Sequence, residues 1–185
     1  ILIDATFSDI DGPGSILGRA GPQFIRTSGD DAPLTVYGIM EFDVAEFAPG
    51  GFFDDPKGYA DVILHEMGHV IGIGTVWDYD PRFIGAGASA EFDRLLVEAG
   101  KPTEGSVPVE NTGGGGSISS HWRELTFDNE LMTGFASGIE VLSKMTAASL
   151  GDMGYTVNLG SSEIESYSLP PEGIFVQNSP NAKTY

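Results

Sequence analysis

Cysteine is absent from the 185-residue chain. No disulfide can therefore hold the fold together, and no thiol within these residues can block a metal in a latent form. Lack of cysteine suits secretion and the cytosol alike, so the compartment stays open on this ground. Basic residues are also scarce, nine against 27 acidic ones, for a formal net charge of −18. Such a chain repels phosphate backbones and anionic headgroups, which argues against nucleic acid and anionic membrane surfaces as partners. No apolar run approaches the roughly 18 residues of a membrane span, and no signal peptide is recognisable. The chain opens on Ile1 and not on methionine, which reads as a processed product or a fragment. Histidine is scarce as well: His65, His69 and His121 are the full set.

What is present is enough apolar residue, 41%, to bury one core, and the length suggests a single domain over 1–185. Alternation over Ile1 to Phe7 predicts a strand, followed by a turn-rich SDIDGPG break. Ile16 to Ala20 reads as a short extended stretch or an ordinary loop, and Tyr37 to Asp43 as a further strand. From Pro56 or Lys57 to Gly72 the apolar residues Ala60, Ile63, Leu64, Met67, Val70 and Ile71 recur at helical spacing and are expected to face the core. The opposite stripe is Asp61, His65, Gly68, His69 and Gly72, where Gly68 would leave room for a metal and a substrate and Gly72 would end the helix. A short helix is expected around Ala90 to Ala99 and another from Val141 to Met153, capped by Ser143 and stopped by Gly154. The NTGGGGS run from Asn111 lacks the lysine and helix start of a phosphate cradle and reads as a loop near a cleft mouth. Beyond Leu169 an extended surface chain is expected.

The acid excess reads first as a solvated, self-repelling surface suited to an extracellular or salty medium. A sharper reading is calcium, with Asp9, Asp11, Asp30, Asp31, Asp54 and Asp55 as ligands in glycine-containing loops. None of them has the spacing of a helix-loop-helix calcium site.

The string HEMGH from His65 to His69 carries specific chemistry. Histidines four apart on a helix project from one face and can bind one metal, while the intervening Glu66 reaches a water upon it. A catalytic zinc takes three protein ligands and keeps its fourth position open, and His121 is the histidine left to complete the set. In many metzincin proteases the third histidine is the sixth residue past the second. Here that position is Thr75, so the compact motif is absent.

The split pattern instead resembles the leishmanolysin family of metzincins: H-E-x-x-H-x-x-G at His65, Glu66, His69 and Gly72, then H-W at His121 and Trp122, then E-L-M at Glu130, Leu131 and Met132. The likeness spans about Ile16 to Gly154 and is tightest in the two zinc segments. It runs to the smaller bacterial relatives more than to the disulfide-rich protozoan surface proteases. This resemblance implies an α+β, zincin-like catalytic domain, with a mixed twisted sheet, an active-site helix above a cleft, and a mostly irregular lower half ending in a C-terminal helix. The upper part would be 1–74 and the lower part 75–185. It implies zinc on His65, His69 and His121, Glu66 as general base, Gly72 as the turn under the metal, and Met132 as an apolar floor. A protein or peptide substrate would lie along an edge near Ile16, Gly18 and Ala20, with Phe135 and Ile139 bounding a side-chain pocket. Some metzincins place a tyrosine where this chain has Gly134, so no tyrosine is assigned a role. Family likeness and acidity together imply a secreted or cell-surface protein. Metzincin upper halves also carry a backing helix, and no stretch ahead of Pro56 has helical periodicity. An N-terminal piece of the catalytic domain, supplied by the same precursor, is therefore expected as a partner.

Two rival readings stand beside the peptidase. A binding or adhesion module could keep zinc as a staple, but a closed structural site uses four protein ligands, and a carboxylate would have to be the fourth. A calcium-stabilised acidic surface protein would explain the charge and leave the three histidines unexplained.

Overall fold

A computed structural model describes residues 1–29, 33–54, 56–77, 81–136, 140–171 and 183–184. It is a mixed α+β structure built on a small mixed sheet. Strands β1 (Leu2–Ser8), β2 (Gly18–Ile25) and β3 (Thr35–Asp43) form this sheet in the order β1-β3-β2. β3 lies in the centre, parallel to β1 and antiparallel to β2. The Ile16 to Ala20 stretch thus leads into an edge strand, and Gly21 and Pro22 lie within it, the register shifting just past Pro22. Proline has no N–H to donate, so an edge is where a strand tolerates it.

Buried acids pin the turn between β1 and β2. Asp43 accepts the backbone N–H groups of Asp11 (3.1 Å), Gly12 (3.0 Å) and Ala45 (2.9 Å). Glu46 accepts those of Gly14 and Phe52. Both side chains are fully buried, so part of the acid excess serves the interior as well as the surface. Backbone N–H groups with no strand partner need such acceptors.

Helix α1 (Pro56–Val70) packs across β2 and β3. Its observed orientation differs from the expected one. Ala60 is exposed, Leu64 and Met67 are 41% and 38% exposed, and the enclosed residues are Gly58, Val62, His65, Glu66, Gly68, His69 and Val70. The histidine face points inward because the rest of the chain closes over it. Periodicity identifies a stripe and cannot say which stripe the rest of the chain will cover.

After α1 come β4 (Arg82–Phe83), α2 (Ala86–Glu98) and β5 (Val107–Pro108), with β4 and β5 paired antiparallel. α2 starts earlier than expected. Its first N–H groups, at Gly87 and Ala88, are both accepted by Asp152 at 2.8 Å, from a distant helix. The single turn α3 (Glu124–Phe127), the short β6 (Phe135–Ala136), α4 (Lys144–Asp152) and β7 (Lys183–Thr184) follow. Ser143 caps α4 as expected, its hydroxyl accepting the Thr146 N–H.

The apolar interior falls into two clusters. One joins Leu17, Met40 and Phe42 to Val62 and Val70, and the other gathers Ile73, Trp77, Phe92, Trp122, Phe127, Met132 and Met145. Among the described residues no helix is long and apolar enough to cross a membrane.

Candidate metal centre

The histidine site forms where the two clusters meet. α1 places His65 and His69 one turn apart on its inward face, with Glu66 between them. The helix then ends on Gly72, whose φ of 119° lies in the region that favours glycine. The Ile73 N–H reaches back to the Gly68 carbonyl and the Gly72 N–H to that of His69, both at 3.0 Å, the bond pair of a glycine-terminated helix. This reversal brings the Ile73 carbonyl to His69 Nδ1 at 3.0 Å. Gly68 serves a different purpose from the one expected. A Cβ there would meet Met132 Sδ at 2.6 Å, so the space is filled by the methionine and not left for a ligand.

His121 arrives from the segment after the glycine-rich run. Its carbonyl accepts the Glu110 N–H at 2.9 Å, and the following Trp122 N–H donates to the Met132 carbonyl at 2.9 Å. Trp122 and Met132 are both wholly buried. Met132 therefore lies beneath the site as packing.

The three Nε2 atoms converge, His65 to His69 at 2.9 Å, His69 to His121 at 3.0 Å, and His65 to His121 at 3.2 Å. Each Nδ1 faces a backbone carbonyl: Leu131 at 2.6 Å for His65, Ile73 at 3.0 Å for His69, and Ser117 at 3.2 Å for His121. A carbonyl only accepts, so each Nδ1 carries the proton and each Nε2 presents a lone pair. Three lone pairs aimed at one another cannot bond among themselves. They need a cation. Tetrahedral zinc at about 2.0–2.1 Å would hold its nitrogens about 3.3 Å apart, close to the separations found. These residues fit a metal ion, and they are the group of potential ligands that the described residues bring together.

The electrostatics point the same way. Burial, aided by the neighbouring imidazoles, holds His65 well below its ordinary value and His121 at about 3, and burial lowers His69 too. All three are neutral at pH 7, the form in which an imidazole can bind a metal. Glu66 is fully buried, burial raises its carboxyl to about 8, and neither of its oxygens has a hydrogen-bond partner. An enclosed carboxyl with no partner is costly unless something else meets it there.

A cleft of about 310 Å³ opens above these groups. Ile16, Gly18 and Ala20 line it from the edge strand and its approach, Thr75, Gly116 and Ser120 from the other half of the chain, and Glu66, His69 and His121 from within. Gly18 matters by its lack of a side chain, since a Cβ there would stand 2.8 Å from Glu66 Oε1. Phe135 is half-buried in β6 and is not on the wall of this cleft. Ile139 lies outside the described residues. A larger cavity, about 490 Å³, opens between α2 and residues 169–171 near Arg82 and Arg123, with no histidine on its wall. Chemistry, and not size, selects the site.

The calcium candidates are not gathered. Asp11 accepts the Ile16 N–H and Asp54 the Gly50 N–H, while Asp30, Asp31 and Asp55 lie outside the described residues. Among the described residues no carboxylate group assembles for a metal. The sequence reading missed Thr75 as a cleft residue and the three carbonyls that orient the histidines. Backbone acceptors leave no trace in residue identity.

Residues 99–178 match the leishmanolysin family model. That span is just under half of the chain. It contains His121, Trp122, Glu130, Leu131 and Met132, while the HEMGH helix lies ahead of it. Over this span the chain is leishmanolysin-like, and that family is one of zinc-dependent metallopeptidases, typically extracellular or surface-bound. A comparison with curated proteins finds no match to the chain.

Proposed function

We propose that this leishmanolysin-like chain is a zinc-dependent endopeptidase of metzincin type in which His65, His69 and His121 hold the metal and Glu66 is the general base. One observation carries the reading: three Nε2 lone pairs converge beside a buried carboxyl with no partner, at the floor of an open cleft. Zinc held there would supply a Lewis acid that polarises the scissile carbonyl and brings the pKa of water to about 7.

The chain's own residues do the rest. With a metal's charge beside it to favour its ionised form, Glu66 would accept a proton from the attacking water and deliver it to the leaving amine. The three carbonyls opposite the Nδ1 atoms keep each imidazole in the tautomer that presents Nε2. The substrate lies extended along β2, adding a strand through main-chain hydrogen bonds. At Gly18 nothing intervenes between that edge and Glu66, so the peptide can approach the base. Phe135 and Ile139 remain proposed as the boundary of the side-chain pocket, as the resemblance implies.

A structural staple would close its site with a fourth protein ligand, whereas the described cluster has three. The family likeness and the acidity support a secreted or surface location. That an N-terminal segment of the precursor packs against the domain remains a proposal carried by the resemblance alone. A peptide copurifying with the chain would test it, and uncut, monodisperse protein without one would count against it.

The deciding experiment is digestion of an unfolded protein substrate with and without a zinc chelator, with Glu66→Gln in parallel. Chelator-sensitive cleavage absent from the variant is expected. Cleavage that survives both would overturn the reading.

A further inference from the structure

Glu130 is a wholly buried acid to which the proposed chemistry gives no task. One of its oxygens accepts the Ser143 hydroxyl at 2.6 Å, the Ser143 N–H at 3.3 Å and the Thr146 hydroxyl. The other accepts the Met132 N–H at 2.7 Å. Four donors surround it, and a carboxylate, which can accept at both oxygens, meets them all.

The bonds continue beyond it. Thr146 Oγ1 accepts the indole N–H of Trp122 at 2.7 Å, and the Trp122 N–H donates to the Met132 carbonyl at 2.9 Å. Glu130, Met132, Trp122 and Thr146 therefore form a closed ring of hydrogen bonds. Two of the three histidines hang from it. His121 is joined to Trp122 through the chain, and His65 Nδ1 donates to the carbonyl of Leu131, which sits between Glu130 and Met132. His69 is independent, since its Nδ1 is held by Ile73 at the end of its own helix.

From this geometry we infer that Glu130 is a positioning residue that fixes the angle between His65 and His121, the ligands contributed by the two halves of the chain. The inference rests on the reading of the histidines as a zinc site. A mere cap for α4 would need only the Ser143 bond. The carboxylate reaches the methionine turn as well, and through Thr146 it reaches the residue next to a ligand. In Glu130→Gln one of the two oxygens becomes an NH₂, which must face either the fixed Met132 N–H or the hydroxyls. The ring loosens, and outer-shell partners of this kind are worth about 10- to 100-fold in metal affinity.

The test compares the wild-type chain, Glu130→Gln, Thr146→Val and Leu95→Ala, a variant of the same apolar cluster that takes no part in the hydrogen-bonded ring. Zinc affinity is read by competition with a chromogenic chelator, and ligand geometry by the visible spectrum of the cobalt(II)-loaded proteins, each below its own melting temperature. Glu130→Gln is expected to weaken zinc about 10- to 100-fold and to alter the cobalt spectrum. Leu95→Ala should melt lower with wild-type affinity and spectrum. Thr146→Val cuts the path to Trp122 alone and should alter the spectrum with a smaller loss of affinity; it decides the matter if Glu130→Gln does not fold. Wild-type affinity and spectrum in the ring variants would overturn the inference, as would an equal loss in Leu95→Ala. A wild-type chain that binds no zinc would be a distinct result, removing the metal-site reading and this inference with it.

Discussion

Glu66→Gln should stabilise the metal-free protein while abolishing its activity, and the effect should depend on pH. Burial raises the Glu66 carboxyl from an ordinary 4.5 to about 8, which at about 1.4 kcal/mol per pH unit corresponds to roughly 5 kcal/mol once the group is ionised in both states. Between those values the unfolded chain has lost the proton and the folded one still holds it. The unfolded state binds fewer protons, so stability falls as pH rises through this window. Glutamine carries no such term, though its buried amide costs about 1–3 kcal/mol of its own at every pH. The histidine contributions are common to both proteins and cancel. The stability gap between variant and parent should therefore move in the variant's favour by about 4 kcal/mol from pH 5 to pH 8.5. With a urea slope of about 2 kcal/mol/M, the difference between the two midpoints should change by about 2 M. Urea titrations of chelator-treated protein at several pH values would measure it. Midpoints that keep a constant gap across the range would refute the claim that Glu66 is buried without a partner.

Activity of the zinc-loaded protein should fall on acidification, because protons compete for histidines whose unfolded value is about 6.5; the three histidines are held low when folded, so stability too is lost as pH drops below that value. An acid optimum that survived chelation would contradict this. Elemental analysis should find a single equivalent of metal in the parent and lose it in His121→Ala, and retention of a full equivalent by the variant would remove His121 from the ligand set. Gly18→Ala places a Cβ 2.8 Å from Glu66 Oε1, so the carboxyl must shift, and kcat should drop more than about tenfold for a base displaced from its proton. Zinc content should be unchanged, and a wild-type kcat would mean that the edge strand does not approach the base.

β1, β3, the helix from Pro56 and the pair His65 and His69 could be read from residue order because their signals are local: alternation, a four-residue spacing, a glycine stop. His121 joined them only through the resemblance, and β2 runs on to Ile25, past the Ala20 expected. The facing of α1 could not. Ala60, Leu64 and Met67 are apolar and outside, His65 and Glu66 are polar and inside, and only tertiary closure determines that. The start of α2 was hidden for a similar reason, since its cap is Asp152 from another helix. The acids were read as surface charge, yet Asp43, Glu46, Glu110 and Glu130 are buried and accept N–H or O–H groups. A carboxylate carries no mark in sequence of whether water or a backbone amide will satisfy it.

The convergence of His69 and His121 across 52 residues has a bearing on how the molecule survives its own chemistry. An ion bound by both closes a loop that no cysteine is present to close. By the chain-entropy estimate, a cross-link of that span restrains the unfolded chain by about 4 kcal/mol, as much as a disulfide would. Reactivity and cohesion then depend on the same atom. On the proposed reading, a molecule that lost its zinc would be at once inactive and loosened, and it would become a substrate for neighbours that had kept theirs. In a mixed population under limiting zinc, self-digestion would remove the empty copies first and leave the loaded ones intact.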